Sequence, residues 1–240
     1  MASALFLHHD ANSMVGLLGP ALAHEGYEIR QHFICADLDS GVAAGPLPTL
    51  EGVDLLVLLG SRWSVYDTDN IGTWIDDELG LVRSADDAAI PVLGICFGGQ
   101  VLAQALGGSV SAAGSEEIGW VGVELTDAAY DTPDGEPVFD SGPWFQWHLD
   151  VFEVPPDGEL LATSPAGPQA FRLRRNLALQ FHPEVNNAVL EDWMITDRDQ
   201  LADCGIDPDS LVAQTAIQAP QATVRAATLV RNFLASLHVS

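Results

Sequence analysis

A short apolar run, Pro91-Val-Leu-Gly-Ile95, ends at Cys96 within Gly94-Ile-Cys96-Phe-Gly98, and a helical pattern follows at once through Val101-Leu-Ala-Gln-Ala-Leu106. This order predicts a buried strand, a sharp turn and a helix, with the cysteine at the apex. A nucleophile on such an elbow sits in strained backbone, so the residues two positions away on each side must be small. Gly94 and Gly98 fill those places. The helix behind Cys96 offers its positive end to a thiolate and lowers the thiol pKa. The peptide N–H of Phe97 points to where an oxyanion would form. The arrangement suits attack on a carbonyl.

A nucleophilic cysteine needs a base, and the base needs an orienting group. Further along, Leu177-Ala-Leu-Gln-Phe181 reads as another buried strand that ends in His182-Pro183-Glu184. In extended backbone, residues two apart project to one side, so Glu184 can hold His182 while Pro183 stiffens the link. The carboxylate fixes the tautomer of the imidazole and stabilises its charged form. Both segments would place their ends at the C-terminal edge of a parallel sheet.

These motifs together resemble the class I, triad-type glutamine amidotransferases, in the subgroup similar to the amidotransferase part of GMP synthase. Gly94-Ile-Cys-Phe-Gly-Gly-Gln100 and Gln180-Phe-His-Pro-Glu-Val185 carry the likeness. Val57-Leu-Leu-Gly60-Ser61-Arg-Trp-Ser-Val-Tyr66 resembles the family's oxyanion strand and loop, and Gln146-Trp147-His148-Leu149-Asp150 its substrate-side loop. Glu117-Ile-Gly-Trp120 is similar to a segment of the same subgroup.

The resemblance implies a role for each matching residue. Cys96 is the nucleophile, His182 the base and then acid, and Glu184 the orienter. Phe97 and the Gly60-Ser61 loop supply the oxyanion hole. Gln100, Trp147, His148 and Leu149 lie on the substrate side. The substrate is glutamine or another γ-glutamyl amide, a γ-glutamyl thioester is the intermediate, and no metal or organic cofactor is needed. Two positions depart from the family pattern. Ser61 stands where a second glycine is usual, and serine lacks glycine's tolerance of positive φ. Leu149 stands where glycine often follows the histidine.

Three functions follow from the likeness: an ammonia-producing glutaminase for a separate synthase subunit, a stand-alone hydrolase of γ-glutamyl compounds, or a non-catalytic regulatory subunit that kept the triad.

Composition narrows the partners. The nine basic residues, all arginine, face 34 acidic ones, giving a formal net charge of −25. Such a field repels nucleic acid and anionic membrane, so neither is expected as a partner. No run of about 18 apolar residues and no basic, apolar leader is present, which gives a cytoplasmic expectation. Three cysteines without a Cys-x-x-Cys spacing argue against a disulfide framework. Cys35 reads as a packed strand residue and Cys204 as a helix-end residue. Arg172-Leu-Arg174-Arg175 reads as a hairpin turn with solvated charge, and a docking patch is the other reading.

Along the chain, residues 1–240 read as one α/β domain: a doubly wound, mostly parallel, flavodoxin-like sheet with helices on both faces, edge hairpins and a helical C-terminus. Strands are expected at Ser3–Leu7, Tyr27–Ile34, Val53–Leu59 and Val92–Ile95, and helices at Met14–Glu25 and Trp74–Ala88. Gly107-Gly108 should stop the elbow helix. Short alternating strands should fill Ser109–Phe181, with turns at Pro133-Asp-Gly135 and Pro155-Pro-Asp-Gly158. Asn187–Val239 should hold two or three helices, broken near Gly205-Ile-Asp-Pro208 and at Pro220. His8-His9-Asp10 is assigned a loop role, since no metal-ligand spacing links it to another cluster. For His148, substrate contact and loop anchoring both stand open.

Overall fold

A computed structural model describes residues 1–37, 40–132 and 135–237. Ten strands and seven α-helices follow in chain order: β1 Ala2–His8, α1 Leu18–His24, β2 Tyr27–Phe33, β3 Leu55–Leu58, α2 Thr68–Ile71 and α3 Ile75–Asp87. Then come β4 Val92–Ile95, α4 Phe97–Ala105, β5 Ser109–Val121, β6 Glu124–Leu125, β7 Trp144–Glu153, β8 Glu159–Ser164, β9 Gly167–Leu173 and β10 Asn176–Leu179. The tail carries α5 Asn187–Thr196, α6 Arg198–Asp203 and α7 Pro208–Ser236.

An eight-stranded sheet runs β2-β1-β3-β4-β10-β9-β8-β6. Strands β2, β1, β3, β4 and β10 pair in parallel, and β9, β8 and β6 continue it antiparallel. This is the expected doubly wound, mostly parallel sheet with hairpins added at one edge. Strands β5 and β7 stand apart as a long antiparallel ribbon. That separation was not legible, because β5 is largely half-exposed and alternates like any edge strand.

Each central strand is apolar on both sides, because helices cover both faces. In β1, Ala4 and Phe6 join a core with α1 and α7, through Leu18, Leu22, Leu229 and Phe233. Leu5 and Leu7 face the opposite core with α3 and α4, through Leu79, Val82, Val101 and Leu102. Burying side chains of this size contributes roughly 1.5–3 kcal/mol each, so the sheet is fixed from both sides. Consequently the ends of β1, β3, β4 and β10 are held as one rigid edge. No helix among the described residues is long and apolar enough to cross a membrane.

Several expected boundaries moved for identifiable reasons. Helix α1 begins at Leu18 and not at Met14, because Gly16 takes φ +47° and Leu17 N–H bonds the Glu184 carbonyl. The last parallel strand ends at Leu179, since Gln180 N–H turns to the Gln169 carbonyl and His182 N–H to that of Phe145. Pro220 does not break the tail: α7 runs through it. The proline is exposed, so the carbonyl it frees one turn back can meet water. The expected interruption before Pro208 is present, with Gly205 at φ +69°. Gly107, at φ +96°, closes α4 as expected, and the Pro155–Gly158 turn forms. Pro133 and Asp134 of the other expected turn, and Val239, lie outside the described residues.

Arg174, at φ +55°, and Arg175 make the β9–β10 turn. Arg172 pairs with Glu159, and Arg174 with Asp86. Cys35 is buried, and Cys204 caps the end of α6. Burial, helped by nearby acids, pushes the Cys35 thiol up to about 11.

Candidate active site

Strand β4 delivers Cys96 to the sheet edge in the conformation φ +50°, ψ −109°, and α4 starts at the next residue. That backbone is strained for any L-residue and persists because its surroundings leave no alternative. A methyl group on Gly98 would meet the Leu58 carbonyl oxygen at 2.3 Å, and one on Gly94 the Gly98 oxygen at 2.5 Å. The two small residues therefore let the elbow lie directly on its neighbours. Cys96 N–H is tied to the Leu179 carbonyl at 2.8 Å. No protein acceptor takes the N–H of Phe97 or Ser61 among the described residues, so both amides are free to donate.

Beside the thiol, His182 Nδ1 bonds Glu184 Oε1 at 2.7 Å, with both side chains almost fully buried. The His182 ring packs edge-on against Trp193 at 5.0 Å and Phe145 at 6.4 Å, which fixes its plane. Burial is the strongest influence on this imidazole and lowers its pKa. Glu184, then the Cys96 sulfur, outweigh burial and hold it well above the ordinary histidine range. Among the described residues His182 Nε2 is buried without a well-formed hydrogen bond, and the Cys96 sulfur is one of the groups that raise the pKa of its ring. The thiol itself lies 3.7 Å from the Trp147 carbonyl and 3.6 Å from Gln180 Nε2.

Gly60 follows β3 across this pair. A methyl group there would meet His182 Cε1 at 2.9 Å and Cys96 Cβ at 3.8 Å, so glycine is required by close approach. Ser61 does not take positive φ. The loop is moored at two points: Arg62 pairs with Asp197 at 2.8 Å, and Ser64 and Tyr66 donate to Asp150.

All ten residues singled out from the sequence line one cavity of about 440 Å³: Gly60, Ser61, Cys96, Phe97, Gln100, Trp147, His148, Leu149, His182 and Glu184. Gln100 donates to Gln180 at 3.3 Å. His148 turns its ring to the Asp150 carbonyl and to Glu117, which favours the anchoring reading over substrate contact. Glu117 is held in turn by Ser164 and Gln169.

Ser13, Trp193, Asp197 and Gln200 also line the cavity and were not foreseen. They come from the β1–α1 connection and from α5–α6, and no local motif marks them. Among the described residues no group of three or more His, Cys, Asp or Glu is placed to hold a metal ion.

The family model for class I glutamine amidotransferases matches residues 21–198. The chain belongs to that family. A GMP synthase [glutamine-hydrolyzing] of Ralstonia pickettii is 32% identical over 167 residues, which is 64% of this chain but 29% of that protein. The chain thus spans under a third of the curated relatives it matches. A glutamine amidotransferase of Thermotoga maritima superposes with TM-score 0.80 at 28% identity, covering 100% of this chain and 99% of that one. A second, from Methylobacillus flagellatus, gives TM-score 0.80 at 23% identity over 97% of this chain and 94% of that one, a likeness of fold.

In this amidotransferase fold, the β1 end carries three neighbouring polar groups that a bare loop role does not describe. His9 forms a buried pair with Glu78 at 2.8 Å, and Asp10 accepts from Asn12 and Ser13. His8 stacks on Phe33 at 4.2 Å and gives Nδ1 to the Ser13 carbonyl. Burial is the main influence on His8 and lowers its pKa to about 4; its Nε2 is enclosed with no well-formed hydrogen bond among the described residues. The unfolded chain therefore takes up this proton first as pH falls. His8 stabilises fully above pH ~6.5, and the contribution, about 3 kcal/mol, is lost as pH falls through 4. Urea melts of wild type and His8→Asn across pH 4–7 should show a shallower loss of stability in the variant. Parallel curves would contradict the assignment.

Proposed function

We propose that the chain hydrolyses the side-chain amide of glutamine, with Cys96 as nucleophile, His182 as base and acid, and Glu184 as its orienter. The observation that carries this reading is the 2.7 Å His182–Glu184 bond beside a cysteine on a strained elbow. An imidazole held well above its ordinary pKa beside a sulfur can hold a proton while that sulfur attacks and then hand it to the leaving group.

The Cys96 sulfur attacks the amide carbon, and the C=O π electrons move to the oxygen. Phe97 N–H and Ser61 N–H donate to that oxyanion. The oxyanion collapses, the C–N bond breaks, and the His182 proton goes to the nitrogen, which leaves as ammonia. A γ-glutamyl thioester remains on Cys96. His182, now neutral, takes a proton from water as that water attacks the thioester carbon. Collapse breaks the C–S bond and releases glutamate and the thiolate.

The relatives named as glutamine-hydrolysing GMP synthases support a synthase as the destination of the ammonia. The cavity suits such docking, since its lining includes the exposed apolar side chains of Met14 and Leu149. The reading places the reaction in the cytoplasm, where the free Cys96 stays reduced. A second reading, a stand-alone hydrolase of larger γ-glutamyl compounds, is favoured by cavity size. About 440 Å³ is in the range that holds drug-sized ligands, and glutamine fills part of it.

The test is glutamate release by purified protein from glutamine and from γ-glutamyl amides of larger amines. Glutamine turnover equal to or above the others supports the first reading. A preference of tenfold or more for a bulkier amide transfers the assignment to the second. No release from any of them, with no labelling of Cys96 by diazo-oxo-norleucine, leaves a non-catalytic subunit.

A further inference from the structure

We propose that His9, Glu78 and Ser13 form a clamp on the Gly60–Ser61 peptide that presets the second oxyanion donor; the inference rests on the glutaminase reading. The Gly60 carbonyl oxygen lies 3.1 Å from Ser13 Oγ and 3.4 Å from His9 Nδ1. In a trans peptide the N–H of the next residue points opposite to this carbonyl. Fixing the Gly60 oxygen on Ser13 and His9 therefore fixes the direction of Ser61 N–H. That amide meets no protein acceptor among the described residues, while its residue lines the cavity with Cys96. A flip of the peptide would break both carbonyl contacts.

The clamp is controlled by protonation. A carbonyl only accepts, so His9 must carry hydrogen on Nδ1. Glu78 secures this by holding the ring doubly protonated: Nε2–H donates to its carboxylate at 2.8 Å, and the buried negative charge keeps the second hydrogen on Nδ1. Without the carboxyl group, neutral His9 is free to protonate Nε2 and turn a lone pair on the Gly60 oxygen. Ser13 alone is the weaker half, since its single hydroxyl hydrogen is shared between Gly60 O and Asp10 Oδ1, 3.2 Å away. The His9 ring also packs edge-on against Phe97 at 4.7 Å. One buried imidazole thus touches the peptide that carries the Ser61 N–H and the side chain of Phe97. These are positioning residues; none touches the reacting atoms.

A purely structural role makes a different prediction. Replacing a buried ion pair with apolar groups of similar volume is often neutral or stabilising, so His9→Phe/Glu78→Leu should fold as well as wild type. In the full chain acting on glutamine, we expect this double variant to lose kcat by ten- to a hundredfold with KM changed less than threefold. Ser13→Ala should lose kcat by several-fold, with recovery in Ser13→Thr. Alkylation of Cys96 by iodoacetamide involves no oxyanion and should keep its wild-type rate in every variant. Unchanged kcat in the double variant, or alkylation falling in step with kcat, overturns the clamp. A double variant that fails to fold leaves the Ser13 pair to decide: equal kcat in Ser13→Ala and wild type overturns it. A wild type that neither turns over nor labels defeats the glutaminase reading itself, and the clamp with it.

Discussion

Cys96→Ala should abolish turnover and labelling by diazo-oxo-norleucine while the protein stays folded. The expected fall in kcat is on the order of a millionfold, the scale seen when the nucleophile of a triad is removed. The thiol is small and sits at the cavity, in contact with the Trp147 carbonyl and Gln180 at the weak distances of sulfur contacts, so its loss disturbs little packing. A second consequence concerns strain. The φ +50°, ψ −109° backbone at position 96 costs an L-residue about 1–3 kcal/mol, and glycine relieves it. Cys96→Gly should therefore be more stable than Cys96→Ala by up to about 2 kcal/mol, because glycine's greater freedom in the unfolded chain offsets part of the relief, measured by urea unfolding, although both are inactive. A Cys96→Gly variant less stable than Cys96→Ala by about 1 kcal/mol, the ordinary cost of glycine, would show that the elbow is not strained. Residual full activity in either variant would remove Cys96 from the mechanism, with Cys35 no substitute, since burial holds its thiol near 11.

How much of this was legible in the sequence depends on the range of the interactions involved. The elbow was readable because strand, turn and helix are contiguous, and β4 falls on the expected residues, Val92–Ile95. His182 and Glu184 were readable because they lie two residues apart and their bond is local. The parallel sheet followed from alternating strand and helix patterns. What stayed hidden is the set of pairings between distant segments. His9 and Glu78 are 69 positions apart, and neither stands in a recognisable motif. The Arg62–Asp197 mooring, the Trp193 contact with His182 and the Glu117–His148 network are likewise products of the fold. Pro220 misled because its local signal, a lost N–H, is harmless on an exposed helix face.

His182→Ala should lower kcat by a thousandfold or more, whereas Glu184→Gln should cost about a hundredfold, because orientation is only partly lost. The pair also has a stability signature. The folded pKa of His182 lies well above the unfolded value of 6.5. The folded protein therefore binds this proton more tightly, and the contribution is fully present below pH ~6.5. It is lost as pH rises through the folded value, so stability should decline on the alkaline side. Among the opposing influences burial is the largest, and Glu184 is the first of those that overcome it. Removing its charge in Glu184→Gln lets burial prevail, so the alkaline decline should shrink or reverse in that variant. His9 is shifted the same way by Glu78, which leaves part of the decline in place and supplies an internal control. Unfolding measured from pH 6 to 9 in both proteins decides the matter. Identical profiles, or a Glu184→Gln enzyme as active as wild type, would show that Glu184 does not hold the imidazole in its charged form.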